Sequence, residues 1–328
     1  MMKSTLGFTM IEMAIVLIMI GILTASLAPL LSRQHTNSLE TADHQALLDA
    51  QTAIINYAIS FGGIPNPTNS GATSGVNTGQ MTAVSAFGVN NWGAFGSTTP
   101  FQMDVNNALA STSVLIAAGQ TISSVGGDRV TFCQAVNQAM SSSAASPQVC
   151  SDYTTDHSAA GSCTAAGTVP VAFVLYSTGN DRKGNQLNAT GSRVYENDKR
   201  GINNSNDTTS HYDDQVMSYP LSALARDCRE KMGVAAEVMA CNAGYKYVGS
   251  LNNGTAASGV SYNFDSGPSS SVPANFTWYD NACHASSTTL YVNVTGVASS
   301  VGKLSTLDAN GDGRVDIFIN SAGTATAQ

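Results

Sequence analysis

Charge is the scarcest commodity in this sequence. Lys, Arg, Asp and Glu make up 11% of its 328 residues, with 14 Lys and Arg against 22 Asp and Glu. A nucleic-acid binder needs a basic patch or stripe, and there is no basic surplus from which to build one. The net charge of −8 also disfavours anionic lipid or DNA as partners and favours solubility outside a cell. Cysteines at metal or redox spacing are missing too. None of the six, Cys133, Cys150, Cys163, Cys228, Cys241 and Cys283, falls in a CxxC pair, and only Cys283 has a neighbouring histidine, His284. That sets aside a zinc site and a thioredoxin-like motif. The five histidines show no HxxxH spacing, and no GxSxG, P-loop or GxGxxG context occurs. Asp213 and Asp214 are adjacent, so on a strand or turn their side chains point apart. No enzyme chemistry is legible.

What is present is apolar enough for folding, at 43% hydrophobic residues, and long enough for two globular units. Its most informative stretch comes first. From Met13 to Ser32 there is no charge, and Ile, Leu, Val, Met and Ala fill most positions. As a helix at ~1.5 Å per residue, such a run spans about 30 Å, the thickness of a bilayer core. Glu12 stands at the apolar boundary, where an unpaired carboxylate is expensive. Gly21 and Pro29 are expected to interrupt the helix. A plain membrane anchor needs none of these. A secretory signal peptide would use Lys3 as its basic region and Ser26-Leu27-Ala28 as its cleavage site, but its apolar core is normally shorter and free of acid. Lys3 on one side of the run, with Arg33, Glu40 and Asp43 on the other, is consistent with a cytoplasmic N-terminus.

The stretch MKSTLG-FTMIEMAIVLIMIGILTASLAP resembles the processing site and N-terminal helix of type IV pilins and type II secretion pseudopilins. The resemblance implies a short leader, Met1 to Gly7, removed by a dedicated peptidase that cuts after Gly7. It implies N-methylation of the new terminal residue, Phe8. Glu12 occupies the family's acidic position, and Pro29 the proline common in the pilin branch. In physical terms, cleavage creates an amine on Phe8 in an apolar setting, and Glu12 of a neighbouring subunit could neutralise it. Such pairing would fix the axial step between subunits. Two further stretches carry the likeness: AIINYAISFGGIPNP, similar to the end of the family's long helix, and VAFVLYSTGNDRKGN with YDDQVMSYPLSALAR, similar to its sheet region.

Along the chain, Leu47, Ala50, Ile54, Tyr57 and Phe61 recur at steps of three and four, so the first helix continues to Phe61, bent near Pro29. Gly62, Gly63 and Pro65 end it. Residues 64–100 read as a Gly-rich loop whose Phe87, Trp92 and Phe95, with Phe101 beyond it, dock on the head. Val105–Ala118 and Val130–Met140 read as helices, and Ser141–Gly167 as a stapled loop. Val171–Tyr176 reads as a buried central strand, followed by a turn-rich loop over Asn180–Arg200 and a second strand at Gln215–Tyr219. A helix over Cys228–Met239 and strands at Tyr245–Leu251, Val260–Phe264, Phe276–Tyr279 and Thr289–Val294 extend the chain beyond the usual small pilin. Past a membrane segment the cysteines are expected in disulfides. Three lie before residue 200 and three after, so if all pair, at least one bridge joins the two groups.

Near the C-terminus, Asp308, Asn310, Asp312 and Asp316 supply side-chain oxygens at loop positions one, three, five and nine, and Arg314 a backbone carbonyl at seven. That order matches the start of an EF-hand-type calcium loop, with Gly313 at the sharp turn. Ile319 replaces the acid expected at position twelve.

The expected fold is α+β: a leader (1–7), a long helix (8–62) on an antiparallel sheet head (63–227), and a β-rich extension (228–328) with a calcium loop. The expected protein is a minor or accessory pilin-like subunit, not an enzyme. Its partners would be the prepilin peptidase and methylase, the inner membrane, and other subunits in a surface filament. A secretion pseudopilin and a pilin-anchored adhesin or glycan-binding protein are the alternatives.

Overall fold

Met10 to Phe61 forms one helix, α1, of 52 residues in the computed structural model. The structure describes residues 10–65, 67, 77–80, 101–110, 128–142, 146–150, 168–177, 193–195, 215–255, 259–294 and 297–327. The helix runs as one element through both Gly21 and Pro29, in line with the single helix expected to Phe61. Proline lacks the N–H that would reach the carbonyl of Ala25, and its ring crowds that carbonyl. One lost bond is tolerated when good helix formers propagate the helix on either side. At the far end Gly62 takes a φ of +65° and returns its N–H to the Ala58 carbonyl at 2.9 Å, closing the helix.

The head follows as β1 (Asn77–Gln80), β2 (Gln102–Val105), α2 (Arg129–Ser141), β3 (Gln148–Cys150), β4 (Thr168–Ser177), β5 (Val194–Tyr195) and β6 (Gln215–Pro220). Next come α3 (Leu221–Glu230) and α4 (Ala236–Met239). Strand β4 is the hub of this sheet. It pairs antiparallel with β2, β3 and β6, while β3 and β5 run parallel. Its unbroken apolar run is explained by burial on both faces. Phe173 and Leu175 enter the main core with Leu47, Ile54 and Ala58 of α1. Val174 and, past a register shift, Val171 pack with Val149, Tyr195 and Val216 on the other side. Gln51 of α1 donates to the Ser218 carbonyl of β6 at 3.0 Å, fastening helix to sheet.

Two expected helices differ. Gln102–Val105 is strand β2, and Asn106 then turns the chain, its Oδ1 accepting from the Ala108 N–H at 2.9 Å. An Asn that bonds its own backbone two residues on favours a turn over a helix. The remainder of that predicted helix, from residue 111, lies outside the described residues. Cys228–Met239 is two pieces, the end of α3 and the short α4, divided at Gly233 with φ +72°. Both pieces belong to the main core through Cys228, Val234, Val238 and Met239. The head's core therefore continues past residue 227.

Beyond it lie β7 (Tyr245–Asn253), β8 (Val260–Phe264), β9 (Ser270–Val272), β10 (Phe276–Ala285), β11 (Thr289–Val294), β12 (Val297–Lys303), α5 (Leu304–Leu307), β13 (Arg314–Ile319) and β14 (Ala325–Ala327). They form two four-stranded sheets, β10-β7-β13-β14 and β12-β11-β8-β9, around a second core that includes Val248, Leu251, Leu290 and Ile317. Pairing is antiparallel except between β7 and β13. The result is an α+β protein with an apolar N-terminal helix and β-sheets.

Candidate functional site

The first half of α1 carries the most exposed apolar surface among the described residues. Met10–Leu27 is long and apolar enough to cross a membrane, and none of it is buried. Glu12 is exposed in the first turn of the helix as described, where the dipole favours a carboxylate. Thr24 and Ser26 turn their hydroxyls back on the carbonyls of Ile20, Gly21 and Leu23 at 2.8–3.1 Å. Their donors are thus satisfied within the helix, as an apolar environment requires. A Cβ built at Gly21 meets nothing within 4 Å, so the helix has a shallow notch there. Gly7 and Phe8 lie outside the described residues, as do Phe87, Trp92 and Phe95. Phe101 is buried in the main core.

The five described cysteines are oxidised. Cys133 of α2 bridges Cys228 of α3, across the divide between the early and late cysteines, and Cys241 bridges Cys283 of β10. Cys150 is also disulfide-bonded. Cys163 lies outside the described residues.

The Asp308–Asp316 segment joins α5 to β13. Asp308 is buried: its Oδ2 accepts from Lys246 Nζ at 2.6 Å and from the Gly313 N–H at 3.1 Å. Asn310 Nδ2 donates to Asp312 Oδ2 at 2.8 Å, and Asp312 Oδ1 accepts from the Arg314 N–H at 2.8 Å. Asp316 is turned elsewhere. Its Oδ1 accepts from the Ser250 N–H and hydroxyl at 2.7 and 2.6 Å, and its Oδ2 from Arg314 Nε at 2.6 Å. Burial pulls this carboxyl upward, but the bonds from Arg314 and Ser250 outweigh it and hold its pKa below the usual range. Arg314 also reaches Glu237 of α4 at 2.9 Å. So Asp308, Asn310 and Asp312 share one loop, while Asp316 belongs to a network that ties the second core to the head. No group of three or more His, Cys, Asp or Glu side chains placed to hold a metal occurs among the described residues.

Three features carry no local sequence signal. Asp104 of β2 is fully buried, held by Arg193 Nε and Nη2 at 2.7–3.2 Å and by the Tyr195 hydroxyl at 3.0 Å. Burial pushes this carboxyl up, against the opposing pull of Arg193 and Tyr195. The partners lie about ninety positions apart in the chain, so no spacing rule connects them. His284 Nε2 meets Asp280 Oδ2 at 2.7 Å, and its ring stacks on Phe264. Phe276, Trp278 and Tyr279 stand exposed on β10, the edge strand of its sheet. Their place on a strand was readable, but their exposure was not.

No family model, curated protein or solved structure matches the chain.

Proposed function

We propose that this chain is a pilin-like subunit, most simply a minor or accessory one, that assembles into a filament through the first half of α1. The observation that carries the reading is the division of labour along one unbroken helix. Its second half builds the core of the head, while Met10–Leu27 buries nothing and after Glu12 carries only apolar side chains and two hydroxyls, Thr24 and Ser26, satisfied within the helix. A protein in water does not keep so large an apolar surface bare. Lipid covers it first, with the head outside the membrane, and copies of the same helix cover it after assembly. In that bundle Glu12 of one subunit pairs with the Phe8 amine of the next, so two groups costly in an apolar setting satisfy each other. The notch at Gly21 allows close approach of a neighbouring helix.

The test is Glu12→Val. Removing the carboxylate lowers the cost of membrane insertion, so the variant stays in the membrane fraction at wild-type level. Without a partner for the Phe8 amine it is lost from sheared surface filaments. A Val variant incorporated normally sinks the pairing and, with it, the assembly role of Glu12. Deleting the gene separates the pilus from its nearest rival. Loss of surface filaments with secretion intact supports a pilin, and loss of protein secretion with filaments intact identifies a pseudopilin.

A further inference from the structure

We propose that the Asp308–Gly313 loop is a calcium site in which the ammonium of Lys246 is a built-in competitor for the ion. This stands apart from the filament reading, since it concerns the other end of the chain.

The observation that carries it is one oxygen. The side chain of Asp308 is 1% exposed, and its Oδ1 is buried with no hydrogen-bond partner. Buried carboxylate oxygens are normally satisfied, and an exception calls for a group that the bare protein lacks. The carboxylate lies against the loop, its other oxygen accepting from the loop's own Gly313 N–H. Around the same turn stand the exposed Asn310 side-chain oxygen and the half-buried Asp312 carboxylate. These are hard oxygen donors with no imidazole or thiolate among them, which selects a hard cation over a transition metal.

Asp316 is not a ligand here, being held by Ser250 and Arg314. The site therefore offers two carboxylates and one amide oxygen, with water and backbone carbonyls completing a shell of six to eight. So few charges place it in the weak range, about 0.1–1 mM, suited to an extracellular module. Calcium tolerates such an irregular shell, whereas magnesium demands near-ideal octahedral geometry.

Lys246 enters from β7, its side chain 12% exposed and its Nζ 2.6 Å from Asp308 Oδ2. An ammonium there compensates the carboxylate when no ion is bound, and repels one that arrives. Binding requires Lys246 to withdraw toward solvent on its flexible stem. Its removal therefore strengthens binding while weakening the ion-free protein, which is left with an unpaired buried carboxylate.

The experiment uses the full chain in detergent, titrated with calcium by calorimetry and melted in millimolar calcium or in chelator. Wild type melts higher in calcium. Lys246→Met binds about tenfold more tightly, melts below wild type in chelator, and regains most of that loss in calcium. Asp308→Asn abolishes binding. Because a buried position can compromise folding, the exposed Asn310→Ala is the second variant, expected to weaken binding without lowering the melting temperature in chelator. If neither wild type nor Lys246→Met responds to calcium up to about 10 mM, there is no site. Equal affinity in wild type and Lys246→Met overturns the competition. An equal response to magnesium overturns the assignment to calcium.

Discussion

Gly313 sits where two constraints meet. Its φ of +82° lies in the left-handed region, and a Cβ there would stand 2.6 Å from methyl carbons of Val130 and Val238, both in the head's core. Gly311, two residues earlier, shares the left-handed φ at +72° but has nothing within 4 Å. The pair isolates packing from conformation. Gly311→Ala is expected to cost about 1–2 kcal/mol from backbone strain alone. Gly313→Ala should cost about 1–3 kcal/mol more, from overpacking against the two valines. Urea midpoints of the two variants decide this, and equal losses contradict the close packing of loop on head. Tyr195 gives a pH dependence. Burial first, then the negative charge of Asp104, pushes its phenol far above the ordinary range. A pKa raised by folding adds stability that is present below the unfolded value, about 10, and lost as pH rises above it. Wild type should therefore lose stability above about pH 10, and Tyr195→Phe should lose less over the same interval. Phenolate absorbance, followed alongside unfolding, reads the difference. An unchanged slope in the Phe variant contradicts it.

Helices α2 and α3 are held together by Cys133–Cys228, which closes a loop of 95 residues. Replacing both cysteines by Ala should cost about 2–5 kcal/mol, read by denaturant unfolding under non-reducing conditions. A loss well below 1 kcal/mol would mean that packing alone holds these helices. The elements themselves were legible to different degrees, for identifiable reasons. Val260–Phe264 and Thr289–Val294 form strands with the expected bounds, because alternation and turn residues both mark them. The second half of α1 was legible in the three-and-four spacing of Leu47, Ala50, Ile54 and Phe61. Over residues 105–110 the chain is not the expected helix, because Asn106 closes a turn through its side chain, which apolar periodicity does not register. Strand β10 runs on to Ala285 past a register shift between Tyr279 and Ala282, where Asn281 adopts a φ of +50°. The calcium-type spacing brought Asp308, Asn310 and Asp312 into one loop. It said nothing of Ser250 and Lys246, which reach Asp316 and Asp308 from β7 only through the parallel pairing of β7 with β13.

At the scale of the whole molecule, two cores are fastened by a few specific ties. Gln134 of α2 donates to the carbonyls of Val238 and Tyr245 and accepts from the Gly244 N–H. Cys241–Cys283 adds a covalent tie, and Arg314 with Glu237 a polar one. Against this well-tied body, the apolar half of α1 is a large surface that no other described residue covers. The proposed filament assembly would account for that surface, for the acid at its start and for the Gly7–Phe8 junction before it. The most direct test is the intact mass of the mature chain isolated from its native host under non-reducing conditions. The account predicts the mass of residues 8–328 plus one methyl group, with the terminal fragment placing that methyl on the Phe8 amine. A chain that begins at Met1, or one that begins after Ala28 as signal-peptide cleavage would leave it, contradicts the account.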